Sequence, residues 1–113
     1  MTGFRILLVG LWVCLFLYTG AVILQHGWGL LPIFFGDIGR VVWPGQFNLD
    51  FLCFLILSAL WTAWRDAFSA RGLLLAVPAL FGGAGFLLPY LFFLTVREKG
   101  DIKAVLLGRQ RAV

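Results

Sequence analysis

Few residues in this 113-residue chain have the side chains that chemistry needs. There is one histidine, His26, which follows an apolar run. A neutral imidazole can ligate a haem or chlorophyll metal or shuttle a proton. Asp37 and Asp50 follow it in sequence, and a histidine with paired carboxylates could act as acid and base. These three residues are therefore the weak candidates for ligand binding or catalysis. Their spacing is irregular, however, and each has a simpler role available. His26 fits an interfacial polar residue, Asp37 fits an i,i+3 surface pair with Arg40, and Asn48 or Asp50 fits the cap of a following helix. The two cysteines, Cys14 and Cys53, lie in apolar segments with no CxxC pattern and no nearby His, so neither a zinc site nor any other metal site is expected. The reading is of a protein without cofactor and not an enzyme.

The elements that would hold these residues are set by composition. Apolar residues make up 62% of the chain, charged residues 12%, and the mean hydropathy is +1.00. A soluble domain carries about 25% charged residues, so this chain has too little charge to cover a water-facing surface. The expected class is all-α and integral to a membrane. The first span is expected over 6–24, after Arg5, long enough to cross about 30 Å of hydrocarbon. A cleaved signal peptide is the alternative there, with Thr19-Gly20-Ala21 resembling a cleavage site, but Val22-Ile23-Leu24 continues the apolar run past it. The second span is expected over 47–64, with Trp61 and Trp64 at its exit. The third is expected over 72–96, bent by Pro78 and Pro89. Between the first two, 30–43 reads as an amphipathic interfacial helix, with Leu31, Phe34, Phe35, Ile38, Val41 and Val42 on one arc. A fourth span through that stretch would put Asp37 and Arg40 at depth, at about 2.5–3.5 kcal/mol each. Residues 97–113 form a polar tail, and the whole chain is one membrane domain.

With three spans, Arg5, Arg65 and Arg71 fall on one side. Arg40, Arg97, Lys99, Lys103, Arg109 and Arg111 fall on the other, which is then the cytoplasmic side, with the C-terminal tail inside and the N-terminus outside. Cys14 and Cys53 sit at different depths in this layout, too far apart for a disulfide. With Asp50 read as a cap, no ionisable group lies within a span, which argues against an ion-coupled transporter. Ser58, Thr62 and Thr95 are expected to bond a neighbouring helix or their own backbone. Ala59 with Ala63, and Ala79 with Gly83, have the small-xxx-small spacing of packed helices.

Several stretches, in order, resemble a family of small multi-span membrane proteins of bacteria and the plastid lineage, known only as a domain of unknown function. They are His26-Gly27, Ile33-Phe34-Phe35 with Asp37, Phe47-Asn48-Leu49-Asp50, then Trp61, Trp64 and Arg65, Leu88-Pro89-Tyr90-Leu91, and Arg97-Glu98. The resemblance covers nearly the whole chain, although Tyr90 stands where Phe or Leu is usual. It implies a multi-span helical protein and carries no activity.

The functional expectation is a non-enzymatic membrane protein, an accessory or assembly subunit of a larger complex in a bacterial inner membrane. Its partners would be the lipid bilayer and other subunits or further copies of itself. No basic patch with interleaved aromatics indicates nucleic acid. The alternatives are a lipophilic-ligand protein (pigment, quinone or lipid) or membrane enzyme using the His26/Asp37/Asp50 face, and an oligomeric transporter or channel.

Overall fold

The computed structural model describes residues 1–109 and 111; positions 110, 112 and 113 of the expected polar tail lie outside the described residues. Within them the regular structure is all-helical: α1 (Thr2–His26), α2 (Leu30–Gly39), α3 (Trp43–Arg65), α4 (Ala70–Gly82), α5 (Ala84–Arg97) and α6 (Ile102–Leu107). Two helices, α1 and α3, are long and apolar enough to cross a membrane.

The unbroken run without Pro makes α1 a single rod of 25 residues, about 37 Å at 1.5 Å per residue. It ends where Gly27 turns to φ 75°. Only Leu8 of α1 is buried. α2 folds back along the start of α3. Asn48 Nδ2 donates to the Phe34 carbonyl at 3.1 Å, and Gly45 is so close to the Asp37 carbonyl that any Cβ there would collide with it. The two helices are therefore antiparallel. This corrects the expected interfacial helix in two ways. It stops at Gly39 rather than 43, and the face it turns to the protein is Phe34, Asp37 and Ile38, while Leu31 and Phe35 stay exposed.

α3 starts at Trp43, with Pro44 in its first turn, a position where the missing N–H costs no helical bond. Asp50 is thus two turns inside the helix and caps nothing; the residue preceding the helix is Val42. Ser69 caps α4, its hydroxyl accepting from Gly72 N at 3.2 Å.

The expected continuous span over 72–96 is instead two helices joined at Gly83. Gly83 has φ 53°, and a Cβ there would lie 2.7 Å from Phe51 Cζ. Left-handed backbone and close approach together require glycine. α4 runs antiparallel to α3: Gly72 faces Ala63 and Asp66 at one end, and Gly83 faces Phe51 and Leu55 at the other. α5 then returns antiparallel to α1. Arg5 Nε donates to Thr95 Oγ1 at 3.1 Å and Arg5 Nη2 to the Thr95 carbonyl at 2.8 Å, while Trp12 Nε1 donates to the Gly85 carbonyl at 3.2 Å. The prolines lie within the two arms; the reversal is made by glycine. The pair is a helical hairpin about 20 Å deep whose two ends lie at the same end of the molecule as Arg65.

α6 crosses that end, capped by Asp101, whose carboxylate accepts from Lys103 N at 3.1 Å. Beneath it sits the main core cluster, Tyr90, Leu94 and Val105, packed by Trp61, Leu75, Phe86 and Leu91. The consequence for charge is large. Arg5, Arg65, Arg71, Arg97, Lys99, Lys103, Arg109 and Arg111 now share one end, leaving Arg40 alone of the nine Lys and Arg at the other. The six-against-three division does not hold, because the chain from 72 to 96 comes back to the end from which it left.

Candidate functional site

The charged end is organised around Arg65, the last residue of α3. Its side chain is 2% exposed. The guanidinium donates from Nε to the Val105 carbonyl at 2.6 Å, from Nη2 to the Ala104 carbonyl at 2.9 Å, and from Nη1 to Asp66 Oδ1 at 3.2 Å. The Ala104 and Val105 carbonyls are reachable because they belong to the last four residues of a six-residue helix, whose carbonyls have no donor within it, and Gly108 lets the chain lie against the Arg65 carbonyl where a side chain would collide. Glu98, just past α5, lies 3.6 Å from Arg65 Nη2 and is itself 4% exposed. Arg109 Nε bridges both Glu98 oxygens, at 3.1 and 2.9 Å. A buried carboxylate between two guanidinium groups is a satisfied structural arrangement: each charge has a partner of opposite sign and the remaining donors reach backbone. Arg111 closes the edge, its guanidinium 4.1 Å from the centre of the Trp64 ring, a cation–π geometry.

Beside this network is a cavity of about 380 Å³ lined by Arg65, Asp66, Ser69, Arg71, Arg97, Glu98 and Arg109. Four guanidinium groups and two carboxylates give it a net positive character. Not all of them are used within the protein. Among the described residues Arg71 makes no hydrogen bond or ion pair, and Arg97 makes only a long approach to Glu98 at 3.8 Å. Asp66 Oδ2 is buried without a donor.

A second cavity is apolar. It is a groove of about 620 Å³ between α3 and α5, lined by Phe51, Phe54, Leu55, Leu57, Ser58, Trp61, Gly83, Ala84, Leu87, Leu91 and Leu106. Trp61 Nε1 closes one end by donating to the Leu106 carbonyl at 3.0 Å. Ser58 Oγ is buried there without a partner. Thr62 and Thr95 do bond their own helices, to the Ser58 and Phe92 carbonyls at 2.8 and 2.7 Å.

The residues singled out from sequence do not meet. His26 is exposed at the end of α1, and Asp50 is exposed on α3. Asp37 lies 3.7 Å from Arg40, the i,i+3 pair its spacing suggests. Arg97, Glu98 and Asp101, expected on the same side as His26, are at the opposite end. No group of three or more His, Cys, Asp or Glu able to hold a metal occurs among the described residues. Cys14 and Cys53 are both free and exposed. Ala63, Ala79 and Gly83 are buried and Ala59 half-buried; Ala63 faces Gly72, and Gly83 faces Phe51 and Leu55, so these contacts lie within the chain. Arg65, Asp66, Glu98 and Arg109 carry no local signature, being up to 44 positions apart. One signal pointed to them: placing residues 97–111 with Arg65 and Arg71 gives a far more lopsided charge distribution than the three-span layout. Comparison with known proteins adds no relative, for no family model, curated protein or solved structure matches this chain.

Proposed function

We propose that this chain is a small integral membrane protein with two full spans, α1 and α3, and a re-entrant helical hairpin, α4–α5, acting as a non-enzymatic accessory or assembly subunit. The observation that carries the reading is the partition of charge: eight of the nine Lys and Arg lie at one end of a molecule 47 Å long, and the helices beyond that end are sheathed in exposed Leu, Val, Ile and Phe. The length matches a bilayer with its headgroup layers, about 40–45 Å. Lys and Arg accumulate on the cytoplasmic side of a bacterial inner membrane, so both termini lie inside, α2 lies outside and the hairpin dips from the inside. The hairpin turn suits that depth because the Gly83 carbonyl accepts from Phe86 N and Leu87 N and the turn packs on Phe51 and Leu55 rather than facing lipid bare.

What supports the subunit reading is how the titratable groups are spent. The buried ones at the charged end hold the fold together, and the far halves of α1 and α3 offer apolar faces to neighbours. Reporter fusions test the topology: tags at both ends should be protected from outside, and an accessible N-terminal tag would restore three full spans. Purification from native membranes in mild detergent tests the role. A stoichiometric membrane partner supports it, and a chain recovered only as a solitary monomer counts against it.

The apolar groove favours a second reading, a lipophilic-ligand protein. Its walls are almost wholly apolar, Phe51, Phe54, Leu57 and Leu87 among them, suited to a lipid tail or a quinone ring. Leu87→Trp, which fills the groove, should then lower retention of a co-purifying lipid or quinone, with the fold intact.

A further inference from the structure

We infer that the open face of α3 seats a transmembrane helix of another polypeptide, one that carries a Lys or Arg opposite Asp50. The inference rests on the subunit reading above and deepens it by naming the chemistry of the partner. Asp50 lies on α3 fifteen residues before Arg65, about 22 Å along the helix. With Arg65 at the cytoplasmic headgroups, that position is within the hydrocarbon, which is about 30 Å thick. Asp50 is exposed there, and the described residues give it neither a donor nor a cation. An ionisable group at such depth is costly and almost always meets an opposite charge or a polar cavity.

The surroundings of Asp50 give the shape of what meets it. Trp43, Phe47, Asp50, Phe54, Leu57 and Trp61 recur at alternating spacings of four and three residues, the period of one seam in a left-handed helix pair. Trp43, Phe47, Phe54 and Leu57 are each more than half exposed. The chain's own helices pack elsewhere on α3. Gly45 and Asn48 meet α2, and Leu55 and Ala63 meet the two ends of α4; at 3.6 residues per turn all four lie on the side away from Asp50. The apolar groove between α3 and α5 runs along the same seam from Phe54 to Trp61. A helix lying in it would pass over Asp50, one turn beyond Phe54.

Charge decides among the occupants. A lipid tail would fill the groove and leave the carboxylate without a donor. A second copy fails in the same way. Two copies inserted alike and related by a two-fold axis set their Asp50 carboxylates against each other. Nor does the chain hold a Lys or Arg at that depth, since eight are at the charged end and Arg40 is beside Asp37 on the α2 side. A basic residue on a different helix supplies the charge-assisted bond that neither of these can.

The test uses the full chain reconstituted in phosphatidylcholine vesicles and synthetic Leu/Ala helices of about 20 residues, with association read by fluorescence energy transfer. One helix carries a single Lys a third of the way from one end; the controls carry Leu or Glu there. The Lys helix should associate roughly tenfold or more tightly than the Leu helix, as one hydrogen bond between charged groups separates them, and the Glu helix should be the weakest. Asp50→Leu removes no contact within the described protein, so it should fold normally and erase the preference for Lys. Equal association of the Lys and Leu helices, or a preference for Lys that survives Asp50→Leu, overturns the proposal. Energy transfer between two copies of the chain that is lost in Asp50→Leu would put a second copy on this face and overturn the separate partner. Failure of the membrane reading would show separately, as chain that does not float with the vesicles, and would take the proposal with it.

Discussion

The two ends of this molecule solve opposite problems. At the charged end polar groups are taken inside: Arg65 and Glu98 are almost fully covered, and each is bonded to a partner. At the far end apolar groups are left outside: Leu24, Trp28, Leu30, Val41 and Trp43 are each more than two-thirds exposed, and α2 buries no residue. In water both choices would be costly, since a lost apolar contact forfeits about 25 cal/mol per Å² and a buried ion pair gains little over an apolar substitute. In a bilayer the far end needs no protein cover, while helix ends and irregular backbone need every partner they can find. The contrast teaches where this fold keeps its specificity. Four separated segments, the start of α1, the end of α3, the end of α5 and the stretch from α6 to Arg109, are tied together at the charged end through Arg5–Thr95, Arg65–Val105 and Arg109–Glu98.

The contrast is broken most directly at Arg65. Arg65→Met should cost about 3–5 kcal/mol, the usual result of removing one member of a buried ion pair, because Glu98, Asp66 and two α6 carbonyls each lose a donor. Denaturant unfolding in micelles, followed by helical circular dichroism, reads this. Arg65→Lys should recover only part, since a single ammonium cannot reach carbonyls and carboxylates in the same fork. A loss below about 1 kcal/mol would mean that the charged end is not the organising centre.

Next in size is the hairpin turn. Gly83→Leu forces a side chain into left-handed backbone, costing about 1–2 kcal/mol, and into the Phe51 ring, costing about 1–3 kcal/mol more. If the hairpin is what returns the tail to Arg65, this variant should also expose the tail to proteolysis at Arg109 and Arg111. Unchanged stability and cleavage would show that the reversal can be made elsewhere. Smaller again is Arg5→Gln, expected to cost about 1.5–3 kcal/mol as a charged hydrogen bond to Thr95 is lost, and readable as earlier thermal release of α1.

How much of this was legible beforehand depends on the range of the interactions. α1 and α3 follow from runs of apolar residues, because a helix satisfies its own backbone and needs no distant partner to be recognised. The hairpin was not legible as such. Hydropathy over 72–96 is the same for one crossing as for two half-crossings, and Gly82-Gly83 reads equally as a contact point. That single ambiguity moved Arg97, Glu98 and the tail to the wrong end and hid the Arg65–Glu98 pair, whose members are 33 positions apart. Asp50 was misplaced for a local reason, since Pro44 starts the helix two turns earlier than the acidic cap suggests. The pairs that sequence spacing did suggest, Asp37 with Arg40 and Thr62 with its own helix, lie within one turn.

The smallest expected effect sharpens the comparison from the other side. Asp50 is ionisable, exposed, and carried by a helix otherwise sheathed in apolar residues; the described residues give it no hydrogen bond or ion pair. If the far end is held only by helix propensity and α2 packing, Asp50→Asn should change unfolding stability by no more than about 0.5 kcal/mol, as expected for a surface substitution away from any network. His26→Ala should behave alike, for the same reason. Their insensitivity would stand against the loss at Arg65 and leave the Asn48–Phe34 bond as the polar tie of the far end. A destabilisation of Asp50→Asn in native membranes that is absent from the purified chain would break the symmetry of that argument usefully. It would mean that Asp50 meets a donor outside this chain, because the described residues offer it none. The same pair of measurements, in membrane and in micelle, then separates a far end that faces lipid from one that faces a partner.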